Sequence, residues 1–90
     1  MIKCIESGIA GKGLDFDSLS KIKNQAIKLG IVGTTFMKDD GSIKVIAEGN
    51  DADLEEFAKT LKPSRFFSSI ENFYILRKEP SVKYKDFSIS

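Results

Sequence analysis

Residues 31–49 decide the fold of this chain, and they read IVGTTFMKDDGSIKVIAEG. Two apolar and β-branched runs, Ile31–Met37 and Ile43–Gly49, flank a short polar stretch that contains Asp40-Gly41. An Asp-Gly pair between two such runs is a strong signal for a β-hairpin, because glycine readily adopts the positive φ angles of a tight turn. The segment therefore predicts two neighbouring antiparallel strands, and the alternation in the second strand gives it one apolar face.

The residues before this hairpin predict an amphipathic helix. Apolar side chains recur at spacings of three and four residues, as on one face of a helix (Phe16, Leu19, Ile22, Ala26 and Leu29). Asp17 or Ser18 is the expected N-cap, because either side chain can accept a hydrogen bond from a main-chain N–H of the first turn. Gly30 is placed to end the helix in the left-handed conformation.

The residues after the hairpin predict a second helix. Asn50 or Asp51 is the expected N-cap, and Pro63 ends the helix because proline has no N–H to donate. The apolar face consists of four residues (Leu54, Phe57, Ala58 and Leu61). Acidic residues crowd the first turns and lysines the last, an arrangement that complements the helix dipole.

Further strands are expected at both ends of the chain. The apolar run Ile2–Ser7 predicts a first strand, and the glycines that follow it predict a loop that begins at Gly8. The segment Phe66–Leu76 contains another strand, with a core set of three side chains (Ile70, Phe73 and Ile75). After a charged turn at 77–80, the alternating segment Tyr84–Ile89 predicts a last strand at the edge of the sheet.

The element order is therefore β-α-β-β-α-β with one added terminal strand. Two helices and one sheet make two layers, and right-handed crossovers place both helices on one face of the sheet. We predict a single α+β domain over residues 1–90. It is a ferredoxin-like βαββαβ sandwich with an extra C-terminal edge strand and two helices on one face of an antiparallel sheet. The opposite face is left for solvent or for a binding partner.

Composition disfavours several classes of function. The chain has 14 basic and 13 acidic residues and a net charge of +1, which gives no field toward nucleic acid or an acidic membrane surface. RNA binding is further disfavoured because the strand Ile43–Gly49 lacks the aromatic side chains on which RNA-recognition domains stack bases. No apolar run reaches the roughly 18 residues of a membrane span. No signal peptide is recognisable, so a cytoplasmic location is expected.

The rare residue types narrow the chemistry. Cys4 is the only cysteine, so no intramolecular disulfide forms, and its apolar neighbours predict a small buried side chain rather than a reactive thiol. The chain has no histidine, which removes the commonest general base and most zinc sites. The acidic pair Asp39 and Asp40 sits in the hairpin turn and is interpreted as turn chemistry. We expect no metal and no cofactor.

Four stretches of the chain resemble the acylphosphatase family in order and spacing. They read SGIAGKGLD at 7–15, LGIVG at 29–33, DGSIKVIAEG at 40–49 and YKDFSI at 84–89. The family counterparts are Gly-Arg-Val-Gln-Gly-Val-Gly-Phe-Arg, Leu-Gly-Leu-x-Gly, Asp-Gly-Ser-Val-x-Val-x-Ala-x-Gly and Phe-x-x-Phe-x-Ile. The resemblance covers nearly the whole chain and implies the same ferredoxin-like fold.

The resemblance also implies a site in the glycine-rich loop. In the family this loop surrounds the phosphate of an acyl phosphate with main-chain N–H groups. An arginine of the loop neutralises the phosphoryl charge, and an asparagine on the second strand orients the attacking water. Positioning and charge stabilisation supply most of such catalysis, so neither a metal nor a histidine is needed. The corresponding anion-binding loop in this chain consists of Gly11, Lys12, Gly13, Leu14 and Asp15.

Both of these family side chains are replaced in this sequence. Asp15 stands at the arginine position and Met37 at the asparagine position. A carboxylate about 4 Å from a phosphate repels it by roughly 1 kcal/mol in water and about 4 kcal/mol at an effective dielectric of 20. Loss of one positioned donor typically lowers the rate by about 10²–10³, and a methionine side chain donates no hydrogen bond to water. Lys12 is the candidate substitute, as a more mobile point charge than arginine.

These observations predict an acylphosphatase-like domain that is catalytically inactive and acts as a small binding or interaction module. Its ligand is expected to be a small anion, phosphate or sulfate, in the loop, or a protein on the open sheet face or edge. The alternative is an acylphosphatase that hydrolyses the carboxyl-phosphate bond through an altered site centred on Lys12. An Asp15 side chain that caps the first helix would argue against a surviving anion site. A monomer or a weak dimer is expected.

Overall fold

The computed structural model describes residues 2–61, 70–81 and 83–90, which form two helices and five strands. The helices are α1, Phe16–Lys28, and α2, Asp51–Leu61. The strands are β1, Lys3–Gly11; β2, Val32–Met37; β3, Ile43–Gly49; β4, Ile70–Lys78; and β5, Phe87–Ile89. Their order along the chain confirms the predicted ferredoxin-like βαββαβ arrangement with an added terminal strand.

The five strands form one sheet in the order β4-β1-β3-β2-β5. Strands β1 to β4 pair antiparallel, as predicted, but β5 pairs parallel with β2 and makes the sheet mixed. The path of the chain explains this direction. The last residues of β4 lie opposite Cys4, at the end of the sheet where β1 and β2 both begin. A connection that crosses this end reaches the far edge running in the same direction as β2.

The hydrophobic core lies between the two helices and one face of the sheet. Its fully or nearly fully buried members include alternate residues of β1 and β3 and the inner faces of both helices (Ile5, Ile9, Ile43, Val45, Ala47, Leu19, Ile22, Leu54, Phe57 and Leu61). The aromatic rings of Phe57 and Phe87 meet edge to face, with centroids 6.0 Å apart. The predicted apolar faces are thereby confirmed, except that Phe16 is 66% exposed. The buried residues of α1 begin only at Ser18, so the first helical residue extends past the core.

The predicted hairpin and the second helix start are confirmed in detail. Gly41 has a φ of 85°, and the main-chain N–H of Ser42 donates to the Asp40 carboxylate at 2.9 Å, which closes the turn between β2 and β3. The Asn50 side-chain oxygen accepts from the N–H of Asp53 at 2.8 Å and so caps α2.

The first strand is longer than predicted. β1 continues through Gly8 to Gly11, so the loop does not begin at Gly8. A Cβ atom at Gly8 would overlap the ring of Tyr74, which lies across it from β4. The glycine is therefore needed for the close approach of a side chain rather than for a turn.

The C-terminal boundaries also differ from the prediction. β4 extends to Lys78, so the charged turn expected at 77–80 begins two residues later, and β5 spans only the last three residues of the expected strand 84–89. The expected helix stop at Pro63 and the first residues of the segment Phe66–Leu76, which was predicted to contain a strand, lie outside the described residues, as does the side chain of Ile70. Neither helix within the described ranges is long and apolar enough to cross a membrane.

Candidate functional site

The predicted anion loop lies at the end of the sheet where β1 and β2 finish and β3 begins. β1 ends at Gly11, and Lys12 and Gly13 then form a turn in which Gly13 has a φ of 77°. Leu14 packs against the core, and Asp15 leads into α1. The loop therefore has the positive-φ glycine and the helix N-terminus that an anion-binding loop requires.

The side chain of Asp15 occupies this helix N-terminus. Its Oδ1 atom accepts from the main-chain N–H of Ser18 at 3.2 Å and from the Ser18 hydroxyl at 3.3 Å. In return, the N–H of Asp15 donates to the Ser18 hydroxyl at 3.3 Å. The two residues form a capping box. The N-cap is thus Asp15, and the prediction of Asp17 or Ser18 is wrong by two or three residues.

This cap changes what the helix terminus offers a ligand. An N-terminal N–H group that would face a bound anion already donates to a carboxylate of the same chain. Asp15 and Asp17 bring two negative charges to the first turn. Lys12 contributes one positive charge from the loop, and Lys21 contacts Asp17 at 3.5 Å. The first turn is therefore electrostatically satisfied without a ligand.

Met37 is brought to the same end of the sheet but into an apolar row. It pairs with Ile43, which pairs in turn with Ile9, two residues before Gly11. Because β3 lies between β2 and β1, Met37 is two strand spacings of about 4.8 Å each away from β1. Met37 packs against the hydrophobic core, so this position holds no polar group that could orient a water.

Lys12 lies exposed at the turn of the loop, beside the glycine that gives the turn its positive φ. Its side chain is the cation that the loop itself contributes. The structure therefore brings all six predicted site positions to one end of the molecule. The side chain at position 15 already caps α1, and the side chain at position 37 already packs against the core.

A polar cluster that the sequence analysis missed lies on the face of the sheet away from the helices. Its centre is Glu6, which is only 8% exposed. The Glu6 carboxylate accepts from the Lys78 ammonium at 2.9 Å and from the Tyr74 hydroxyl at 3.1 Å, and the Lys44 ammonium lies 3.6 Å away. These four residues come from three adjacent strands, β1, β3 and β4.

The ionisable groups of this cluster shift one another's pKa values. The hydrogen bond from Lys78 lowers the pKa of Glu6 below its ordinary value, and the same bond raises the pKa of Lys78. Burial, followed by the hydrogen bond to Glu6, raises the pKa of Tyr74. Glu6, Lys78 and Tyr74 therefore keep their usual charges at neutral pH, and the cluster ties the outer strand β4 to the centre of the sheet.

A shallow cleft of about 350 Å³ opens beside this cluster. Its lining includes residues of β1, β3, β4 and the hairpin (Gly8, Ala10, Lys38, Lys44, Asn72 and Tyr74). It lies on the open face, next to the hairpin between β2 and β3. The sequence contained one signal for this region: Glu6 is the one acidic residue of the first strand and follows the apolar residues Cys4 and Ile5. A charge in a central strand needs partners from the neighbouring strands.

Cys4 occupies the same open face near the start of β1. It is 4% exposed and forms no disulfide, and burial raises the pKa of its thiol. The low exposure confirms the prediction of a small buried side chain, and a raised pKa lowers the thiolate fraction that reactivity needs.

Comparisons with known proteins agree with the fold. A family model described as Acylphosphatase matches residues 19–89. The chain is 39% identical over 66 residues to an acylphosphatase of Latilactobacillus sakei, covering 71% of this chain and 70% of the relative. It is 31% identical over 85 residues to an acylphosphatase of Caldanaerobacter subterraneus, covering 94% of this chain and 90% of the relative.

A solved structure shows the same fold. The acylphosphatase of Bacillus subtilis superposes with a TM-score of 0.80 at 23% identity, over 100% of this chain and 99% of that one. The matched range of the family model begins at Leu19, so the loop 11–15 precedes it. The match to the family model therefore includes neither β1 nor the loop.

Proposed function

The chain belongs to the acylphosphatase family, and from that premise we propose that it keeps the family fold as a binding or interaction module without acyl phosphate hydrolysis. One observation carries the proposal: the Asp15 carboxylate caps α1 at the helix terminus where the phosphate of a substrate would have to bind. A bound phosphate would have to displace this carboxylate or remain beside it. In either case it meets like charge where the resemblance implies an arginine.

The position of Met37 supports the same proposal. Hydrolysis needs a water that is held in line with the carboxyl-phosphate bond, and a thioether packed against the core supplies no donor for it. Without charge stabilisation and a positioned water, only the geometry of the loop remains to promote hydrolysis. We expect this to be too little for turnover.

The alternative candidate is hydrolysis through Lys12. Its exposed ammonium lies on the loop itself, and several relatives are named acylphosphatase. An ammonium can neutralise a phosphoryl group as a point charge, without the bidentate contact of a guanidinium. Turnover that disappears in Lys12→Ala would establish this alternative and refute the proposed loss of activity.

The test is hydrolysis of benzoyl phosphate by the natural chain and by designed variants. We expect no turnover above a mock purification from the natural chain, and a gain in the double variant Asp15→Arg with Met37→Asn. The matched control is Asp17→Arg with Met37→Asn, which puts the same charge change on the same helical turn. A gain in the first pair alone assigns the effect to position 15. Turnover by the natural chain would contradict the proposal.

Binding in the loop is tested separately, with inorganic phosphate and the natural chain. We expect the amide resonances of residues 11–15 to stay unshifted up to about 10 mM phosphate, because the cap already uses the helix terminus. Saturable shifts confined to these residues would show that the loop still binds a small anion. The interaction module would then be a phosphate-binding one.

A further inference from the structure

Strand β4 ends one edge of the sheet. In the described part of the chain it pairs with β1 on one side and with no strand on the other, over nine residues from Ile70 to Lys78. Main-chain N–H and C=O groups along such an edge are available to another strand. The opposite edge, β5, is only three residues long, so β4 offers the longer template.

The middle of β4 lacks the charges that usually protect an edge. Five uncharged residues, 72–76, lie between Glu71 and Arg77. Two of them are large apolar or aromatic side chains left exposed on the open face: Tyr74 at 43% and Leu76 at 51%. Natural edge strands commonly carry lysine or an inward charge at such positions, because these side chains block pairing with another chain.

The charges at the two ends of this segment are arranged to complement a second copy of it. A two-fold axis perpendicular to the sheet pairs two β4 strands antiparallel and keeps paired residues on the same face. Centred on Tyr74, it places Phe73 opposite Ile75 and Asn72 opposite Leu76. It also places Glu71 opposite Arg77, and it does so twice, once on each side of the axis.

Neighbouring registers lose this match. A centre one residue earlier puts Glu71 opposite Ile75, and a centre one residue later puts Arg77 opposite Phe73. Both neighbouring registers lose the Glu71–Arg77 pairs. Of these three registers, only the Tyr74-centred one forms them together with the apolar pair of Phe73 and Ile75, although it also sets Asn72 against Leu76 and Lys78 against position 70. Cross-strand pairs of these kinds are what fixes register in antiparallel sheets.

Two features of this edge, a register shift and an ion pair, are compatible with the β4–β4 pairing. The β1–β4 register shifts between Ala10 and Gly11, which puts an irregularity at Glu71. Because Arg77 and Lys78 point to opposite faces, a basic residue of the second copy lies beside Glu71 on either face. Arg77 also contacts Asp51 at 3.2 Å, but both side chains are more than 60% exposed, and the guanidinium has further donors.

We propose that β4 pairs with β4 of a second copy of this chain, antiparallel and centred on Tyr74, to give a two-fold symmetric dimer with a continuous ten-stranded sheet. The inference goes beyond the proposed function and holds whether or not the loop hydrolyses acyl phosphates. One strand pair buries less than the roughly 1,200–2,000 Å² of a standard interface. The dimer is accordingly weak, with a dissociation constant of about 10 µM to 1 mM.

Sedimentation equilibrium of the natural chain at up to about 1 mM tests self-association, and charge reversal tests the register. We expect Glu71→Arg and Arg77→Glu each to weaken the homodimer about tenfold or more, because each turns two attractive cross-strand pairs into repulsive ones. An equimolar mixture of the two variants should form a heterodimer, because opposite charges then face each other at both ends. Glu56→Arg, an equal charge change on the exposed side of α2, should leave the association unchanged.

Three outcomes would overturn the proposal. They are a natural chain that stays monomeric at about 1 mM, single variants that associate as the natural chain does, and a mixture that associates no better than its components. Circular dichroism of each variant confirms that it is folded. The mixing experiment also guards against misfolding, because association that returns on mixing shows that β4 of each variant can still pair. Benzoyl phosphate hydrolysis is scored independently on the same samples.

Discussion

Replacing Asp15 by alanine should destabilise the domain by about 1–2 kcal/mol, because the carboxylate performs two roles at the start of α1. It accepts hydrogen bonds from the N–H and the hydroxyl of Ser18, at 3.2 and 3.3 Å, and loss of an N-cap typically costs about 1 kcal/mol. Its negative charge at the positive end of the helix dipole adds about 0.3–1 kcal/mol at an exposed position. In a 90-residue chain each kcal/mol lowers Tm by about 4–8 °C.

Urea and thermal denaturation of a short variant series measure this effect. Asp15→Ser keeps a capping oxygen and loses only the charge, so it should retain most of the stability. Asp17→Ala removes a charge from the same turn and an exposed ion pair with Lys21 at 3.5 Å, but no capping bond. It should therefore cost no more than about 1 kcal/mol, less than Asp15→Ala. Equal losses for Asp15→Ala and Asp17→Ala would refute the capping role and, with it, the main support for an occupied helix terminus.

Two further predictions concern the open face. Gly8→Ala should cost about 1–3 kcal/mol, because the added Cβ overlaps the Tyr74 ring, and moving the ring aside strains its bond to Glu6. Urea denaturation in a Tyr74→Ala background should show a much smaller cost. Equal costs in both backgrounds would contradict the overlap. The hydrogen bond from Lys78 lowers the pKa of Glu6 in the folded state, so the unfolded chain binds the proton first as pH falls below 4.5. The natural chain should therefore lose its advantage in free energy of unfolding over Glu6→Gln as pH falls below 4.5. An advantage that does not change with pH would contradict this prediction.

The elements that sequence patterns predicted well are those in which local chemistry and packing agree. The hairpin at Asp40-Gly41 has both the turn residues and two alternating strands, and the structure has β3 at its predicted bounds. The cap of α2 at Asn50 likewise combines a capping side chain with an apolar period that begins four residues later. In each case two independent signals point to the same element.

The misplaced elements depend on contacts that are distant in sequence. Gly8 carries a turn signal, but its use is set by Tyr74, 66 positions further on. The cap of α1 was misplaced because Asp15, Asp17 and Ser18 are all acceptable N-caps. The reciprocal bonds between Asp15 and Ser18 select the first of them. The parallel direction of β5 follows from where β4 ends, which no local pattern reveals.

The family resemblance puts Asp15 where acylphosphatases have an arginine, and on the proposed function this replacement acts in opposite ways on the unliganded and the liganded domain. The first N–H groups of a helix need acceptors, which a side chain, water or a ligand can supply. An arginine accepts no hydrogen bond, so a helix that begins with one leaves this role to water or to a bound anion. Asp15 supplies the acceptor from the chain itself. On the proposed function, the substitution therefore stabilises the unliganded fold through the same atoms with which it disfavours a phosphate. Such a gain in the stability of the unliganded fold is expected once a site no longer has to remain open for substrate.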